Sequence, residues 1–111
     1  MPVANCFLDN RVETRKYEEI IFRLSENLAI NSTDITINFI KSEYQVGKAF
    51  RLMIFLYLPS IWQQNEVEKI GLEFTKTLSE CLGIETCDIF LITSIIESGN
   101  VIANNTVERW Q

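Results

Sequence analysis

The sequence predicts an α/β (α+β) fold in which two β-α-β units share one four-stranded mixed sheet, with two helices on one face. The first observation behind this is an internal repeat. Leu24 to Ile35 lies over Leu78 to Ile89 at a constant offset of 54, with seven of twelve positions identical. The second is periodicity: in each half, helix-spaced apolar residues stand between two extended apolar runs. A length of 111 residues suits one domain, read as repeats 1–47 and 48–98 followed by a tail, 99–111.

The elements follow in order. Pro2 to Leu8 is an extended run. Tyr17, Ile20, Ile21, Leu24 and Leu28 then fall on one helical face, with Asn10 as the expected N-cap. Glu13, Arg15, Lys16, Glu18 and Glu19 read as the wet face of that helix. Asp34 to Ile40 is the second extended run, and Glu43 to Lys48, with Gly47, joins the halves. Ala49 to Leu58 is the third. Val67, Ile70, Phe74, Leu78, Cys81 and Leu82 form the second helical face, with Ser60 or Asn65 as its N-cap and Gly83 as a left-handed C-cap. Asp88 to Ile96 is the fourth run, and Val101-Ile102 and Val107 to Trp110 add short strands. A helical crossover makes the strands of each unit parallel, with right-handed connections.

Composition excludes several functions. Ten basic against fifteen acidic residues leave a net charge of −5, which disfavours nucleic acid as a partner. The chain has no histidine, so the commonest general base and metal ligand are missing. Cys6, Cys81 and Cys87 form no CxxC and read as small buried hydrophobes in a reducing compartment, which points to the cytoplasm. No apolar run has the length of a membrane span, and the N-terminus lacks a secretory pattern. Neither a metal nor another cofactor is expected. The run Phe50 to Leu58 hardly alternates, so an apolar surface must cover the second sheet face, and another subunit is the expected cover.

Met1-Pro2 leading directly into a strand, two fused β-α-β units and a length near 110 residues together resemble the tautomerase superfamily. The opening Met1 to Arg11 is similar to the start of 4-oxalocrotonate tautomerase (4-OT), where a Pro-led strand ends in Leu-Glu-Gly-Arg; here it ends in Leu8-Asp9-Asn10-Arg11. The second half, through Leu82-Gly83-Ile84 to the Asn-rich tail, looks more like macrophage migration inhibitory factor. The resemblance implies a homotrimer and a keto-enol isomerase. Removal of Met1 would expose Pro2 as a secondary amine, whose ordinary pKa of about 7.7–8.0 would fall toward neutrality in an apolar pocket near a guanidinium. Pro2 is then the general base for a small 2-oxo or 2-hydroxy acid. Arg11 is the expected anion binder, and Tyr44 and Trp110 are expected pocket walls.

The sequence also departs from these relatives. A second arginine of 4-OT falls near Thr36, and the paired arginines of the decarboxylase and dehalogenase relatives have no match in Leu58 to Gln63. The pocket lysine and asparagine of macrophage migration inhibitory factor fall near Ile30 and Ile92, and its tail tryptophan falls at Ala103. Decarboxylation and dehalogenation are therefore disfavoured. The alternatives are a catalytically inactive tautomerase-fold homo-oligomer with a binding or structural role, and an unrelated ferredoxin-like ligand-binding domain.

Overall fold

Alternation along the two central strands decides where the core lies. In β1 (Val3–Asp9), Ala4, Cys6 and Leu8 are buried while their neighbours are half-buried. In β3 (Leu52–Pro59), Leu52, Ile54, Leu56 and Leu58 are buried in the same way. These side chains meet Ile20 and Leu24 of α1 (Tyr17–Leu28) and Val67, Ile70, Phe74 and Leu78 of α2 (Gln64–Leu82) in one continuous core. The computed structural model describes residues 2–12 and 16–110.

β2 (Thr36–Ser42) and β4 (Ile89–Ile96) complete the sheet in the order β2-β1-β3-β4. β1 runs parallel to β2 and β3 parallel to β4, while β1 and β3 are antiparallel at the centre. The sheet is therefore mixed and four-stranded, as the two β-α-β units require. Val3 pairs with Thr36 and Met53 with Phe90, and Thr36 and Phe90 are 54 residues apart, the spacing of the repeat. The tail forms a separate hairpin of β5 (Val101–Ala103) and β6 (Thr106–Glu108), turned by Asn104 and Asn105 at positive φ.

The repeat is exact enough to preserve individual hydrogen bonds. Ser25 Oγ donates to the Ile30 carbonyl at 2.6 Å, and its mate Ser79 Oγ donates to the Ile84 carbonyl at 2.5 Å. Both helices end on a left-handed residue, Ala29 at φ 53° and Gly83 at φ 68°. Each is followed by a one-turn 3-10 helix, Ser32–Asp34 and Thr86–Asp88, that feeds an outer strand.

Three expectations are corrected. Asn10 lies in the turn after β1, and the residue before α1 is Lys16, whose side chain makes no cap bond. Ser60 and Asn65 do not cap α2 either: Gln63 does, through a reciprocal capping box with Glu66. The early turn at Asp9 to Val12, closed by Val12 N–H to the Asp9 carbonyl at 3.0 Å, and the extended backbone of Gln63 set these boundaries. Cys87 is exposed, whereas Cys6 and Cys81 are buried, because Cys87 sits in the second 3-10 turn outside the core. Met1, Glu13 and Arg15 lie outside the described residues; Lys16, Glu18 and Glu19 are exposed.

Candidate functional site at the two ends of the central strand

The four candidate residues divide between opposite ends of β1, whose seven residues span about 20 Å. Pro2 stands at the first end. It is fully buried, and its carbonyl accepts the Thr36 N–H at 3.0 Å. The antiparallel register puts Val3 opposite Tyr57, so this end of β1 adjoins the end of β3. Trp110 is held at the same end of the sheet. Its indole N–H donates to Ser60 Oγ at 3.0 Å and its backbone N–H donates to Ser98 Oγ at 2.8 Å. Ser60 N–H in turn donates to the Ile96 carbonyl at 2.9 Å, which ties the tail to the ends of β3 and β4.

Arg11 and Tyr44 occupy the other end, where both line a cavity of about 420 Å³. Arg11 is turned back on Asp9. Its Nη2 and Nε donate to the two carboxylate oxygens at 2.6 and 3.1 Å, and its backbone N–H donates to Oδ1 at 2.9 Å. These bonds hold the Asp9 carboxyl well below the usual carboxylate range, with a smaller contribution from the charge of Arg51. The Arg11 side chain is nevertheless 81% exposed, so part of its donor fork faces solvent. One subunit therefore does not bring Pro2 and Arg11 together.

Sequence reasoning missed Arg51, Phe50 and Gln45, which share this cavity. Gln45 braces the segment between the halves: its amide donates to the Phe50 carbonyl and accepts the Phe50 N–H, both at 2.9 Å. The Phe50 ring lies 5.0 Å from Phe90, and Lys48 Nζ sits 5.5 Å above Phe50. A signal for Arg51 was present, since it is the only charged residue between Ala49 and Leu58.

Other titratable groups are structural. Burial pushes the Cys6 thiol up to about 12, so it stays protonated and unreactive. Burial acts to raise the Glu73 carboxyl, but hydrogen bonds from Asn27 and Thr77, at 2.9 and 2.7 Å, hold it below its ordinary value, and the Asn27 bond joins α1 to α2. Arg23 and Glu80 add an ion pair across the same helix contact. Among the described residues, no group of three His, Cys, Asp or Glu side chains is placed to hold a metal ion.

No protein-family model and no curated protein matches the sequence. Solved structures do match in three dimensions. A wild-type fused 4-OT solved as a symmetric trimer has a TM-score of 0.78 at 11% identity, over 96% of this chain and 94% of that one. N1, a member of the cis-3-chloroacrylic acid dehalogenase family, has a TM-score of 0.77 at 9% identity, over 96% and 82%. A macrophage migration inhibitory factor-like protein from Entamoeba histolytica has a TM-score of 0.70 at 18% identity, over 96% and 97%. At these identities the likeness is one of fold, and it extends over nearly the whole chain.

Proposed function

From the tautomerase-superfamily fold of this chain, we propose that the protein is a keto-enol tautomerase acting on a small 2-oxo or 2-hydroxy acid, with Pro2 as its general base. The burial of Pro2 at the head of β1 is the observation that supports this most directly. Once Met1 is removed, burial of the secondary amine favours its neutral form at ambient pH. The neutral nitrogen takes the enol O–H proton as the carbonyl forms, and returns a proton to the neighbouring carbon. Oxygen loses one proton and carbon gains one, so the base is regenerated.

Arg11 and Tyr44 belong to this reading as parts contributed by a neighbouring subunit, since they lie at the far end of β1 from Pro2. Trp110 walls the pocket from the same end as Pro2. A homotrimer supplies the neighbour, and the apolar residues of the open sheet face, Ile40, Phe90 and Ile92, suit such an assembly. The three free cysteines suit a reducing compartment, and we assign the protein to the cytoplasm on that ground. No described helix is long and apolar enough to cross a membrane.

Processed protein with a free Pro2 is expected to convert phenylpyruvate between its enol and keto forms. The Pro2→Ala variant should lose most of that rate; equal activity in the variant would sink the base role. Intact-mass spectrometry establishes first whether Met1 has been removed. The engagement of Arg11 by Asp9 and the apolar Ile30 and Ile92 favour a second reading, a non-catalytic homo-oligomer that binds ligands. A processed wild type that leaves phenylpyruvate unchanged would select that reading.

A further inference from the structure

The cavity at the Arg11 end has a place in the internal repeat. Val3 pairs with Thr36 and Met53 pairs with Phe90, and Thr36 and Phe90 are repeat mates at the offset of 54. Met53 is therefore the mate of Val3, and Leu52 is the mate of Pro2. The second half reproduces the strand end at which Pro2 stands in the first, but puts Leu52 there. Leu52 lies inside the chain, so its nitrogen is a peptide amide and cannot be a base. Next to it comes Arg51, half-buried, which lines the cavity.

The two arginines of this cavity are not equivalent. Asp9 occupies two nitrogens of Arg11 and neutralises its charge. Among the described residues, the Arg51 guanidinium has no hydrogen-bond or ion-pair partner, so its fork is available for a carboxylate in bidentate geometry. Phe50, packed against Phe90 with the rings tilted by 36° and pinned by Gln45, supplies a rigid apolar wall. Glu43 also lines the cavity and repels a second negative charge.

We propose that this cavity is a second, non-catalytic ligand site, formed by the repeat mate of the Pro2 end, that takes a small monocarboxylate carrying an aromatic or other flat apolar group. Arg51 holds the carboxylate and Phe50 holds the apolar part. The site goes beyond the tautomerase reading and does not require Pro2 to act as a base.

Phenylacetate is a suitable probe because it is a stable monocarboxylate with one ring. Its binding is measured by calorimetry and by amide shift changes in NMR. Wild-type protein should bind it with shifts at Phe50 and Arg51. Arg51→Gln should weaken binding by about tenfold or more, the effect expected from losing a charge-assisted pair. Arg51→Lys keeps the charge but loses the fork, and should fall between the two. It also keeps the test open if Arg51→Gln does not fold by circular dichroism. Lys76→Gln, on the exposed face of α2, removes a positive charge away from the cavity and should leave binding within about threefold. Benzyl alcohol, which lacks the carboxylate, should not produce the shifts. No binding to wild type, shifts confined to the Pro2 end, or an unchanged affinity in both Arg51 variants would overturn the proposal. Phenylpyruvate turnover is not part of this readout, so failure of the tautomerase reading and failure of this site are distinct results.

Discussion

Asp9 and Arg11 show how one contact can organise the end of a strand. The Asp9 carboxylate accepts the Arg11 backbone N–H and two side-chain N–H groups, which fixes the turn leaving β1. Its folded pKa lies well below the ordinary carboxylate value. A carboxyl depressed in the folded state stabilises the protein above its unfolded pKa of about 3.9, and that contribution is lost as pH falls toward the folded value. Asp9→Asn should therefore lower the urea midpoint at pH 7. The gap from wild type should narrow as the pH is taken below about 4. A gap that does not change with pH would show that the bond contributes nothing as a charged pair. The cysteines permit a second test at this scale. Ellman's reagent should modify Cys87 alone in the native protein, and slowly, because desolvation and the neighbouring Asp88 and Glu85 raise its thiol pKa. Cys6 and Cys81 should react only after unfolding. Rapid modification of all three in the native state would contradict the burial of the other two.

At the scale of elements, the repeat offers a matched pair of backbone experiments. Both helices end on a left-handed residue, but one is Ala29 and the other Gly83. A side chain in that region costs about 1–2 kcal/mol, partly offset by the greater freedom of glycine in the unfolded chain. A Cβ at Gly83 would meet nothing within 4 Å, so the cost of Gly83→Ala comes from the backbone alone. Gly83→Ala should destabilise by about 1 kcal/mol, and Ala29→Gly should stabilise by a similar amount. Denaturant unfolding of the two variants checks both signs. The same sequence segment was the clearest to read, because Ser25 and Ser79, Leu28 and Leu82, and Asp34 and Asp88 recur where the structure repeats its bonds. The helix starts were not legible. Gln63 is an unusual cap and depends on Glu66 reaching back, and no cap side chain marks Lys16. The candidate site was legible only in pieces. Pro2 and Arg11 both stood out, but their separation follows from the length of β1. The grouping of Arg51 with Arg11 follows from an antiparallel register that local patterning does not encode.

Across the whole molecule, the surface and shape depart from those of a compact monomer. The accessible surface is 7147 Å², against about 6,300 Å² expected for a 12.9 kDa monomer from the size scaling of folded proteins. The radius of gyration is 14.4 Å, against about 13.2 Å for a compact domain of this length. The open sheet face accounts for part of the excess. Phe7 and Phe55 stack edge-on near its centre at 5.6 Å, and Ile40, Phe90 and Ile92 are exposed on the outer strands beside them. The Asn5–Asn38 side-chain pair, at 2.8 Å, interrupts the apolar surface near β2. The tail hairpin exposes Ile102 and Val107 as well. If copies associate through the sheet face, a charge placed there must oppose assembly, whereas a charge on the outer helix face must not. Ile92→Glu should convert a species of three times the chain mass into monomer in sedimentation at micromolar concentration. Leu72→Glu, at a residue 70% exposed on α2, should remain a trimer. The reverse pattern would move the interface to the helices. A monomeric wild type would remove the neighbouring subunit that the proposed joint action of Pro2 and Arg11 requires.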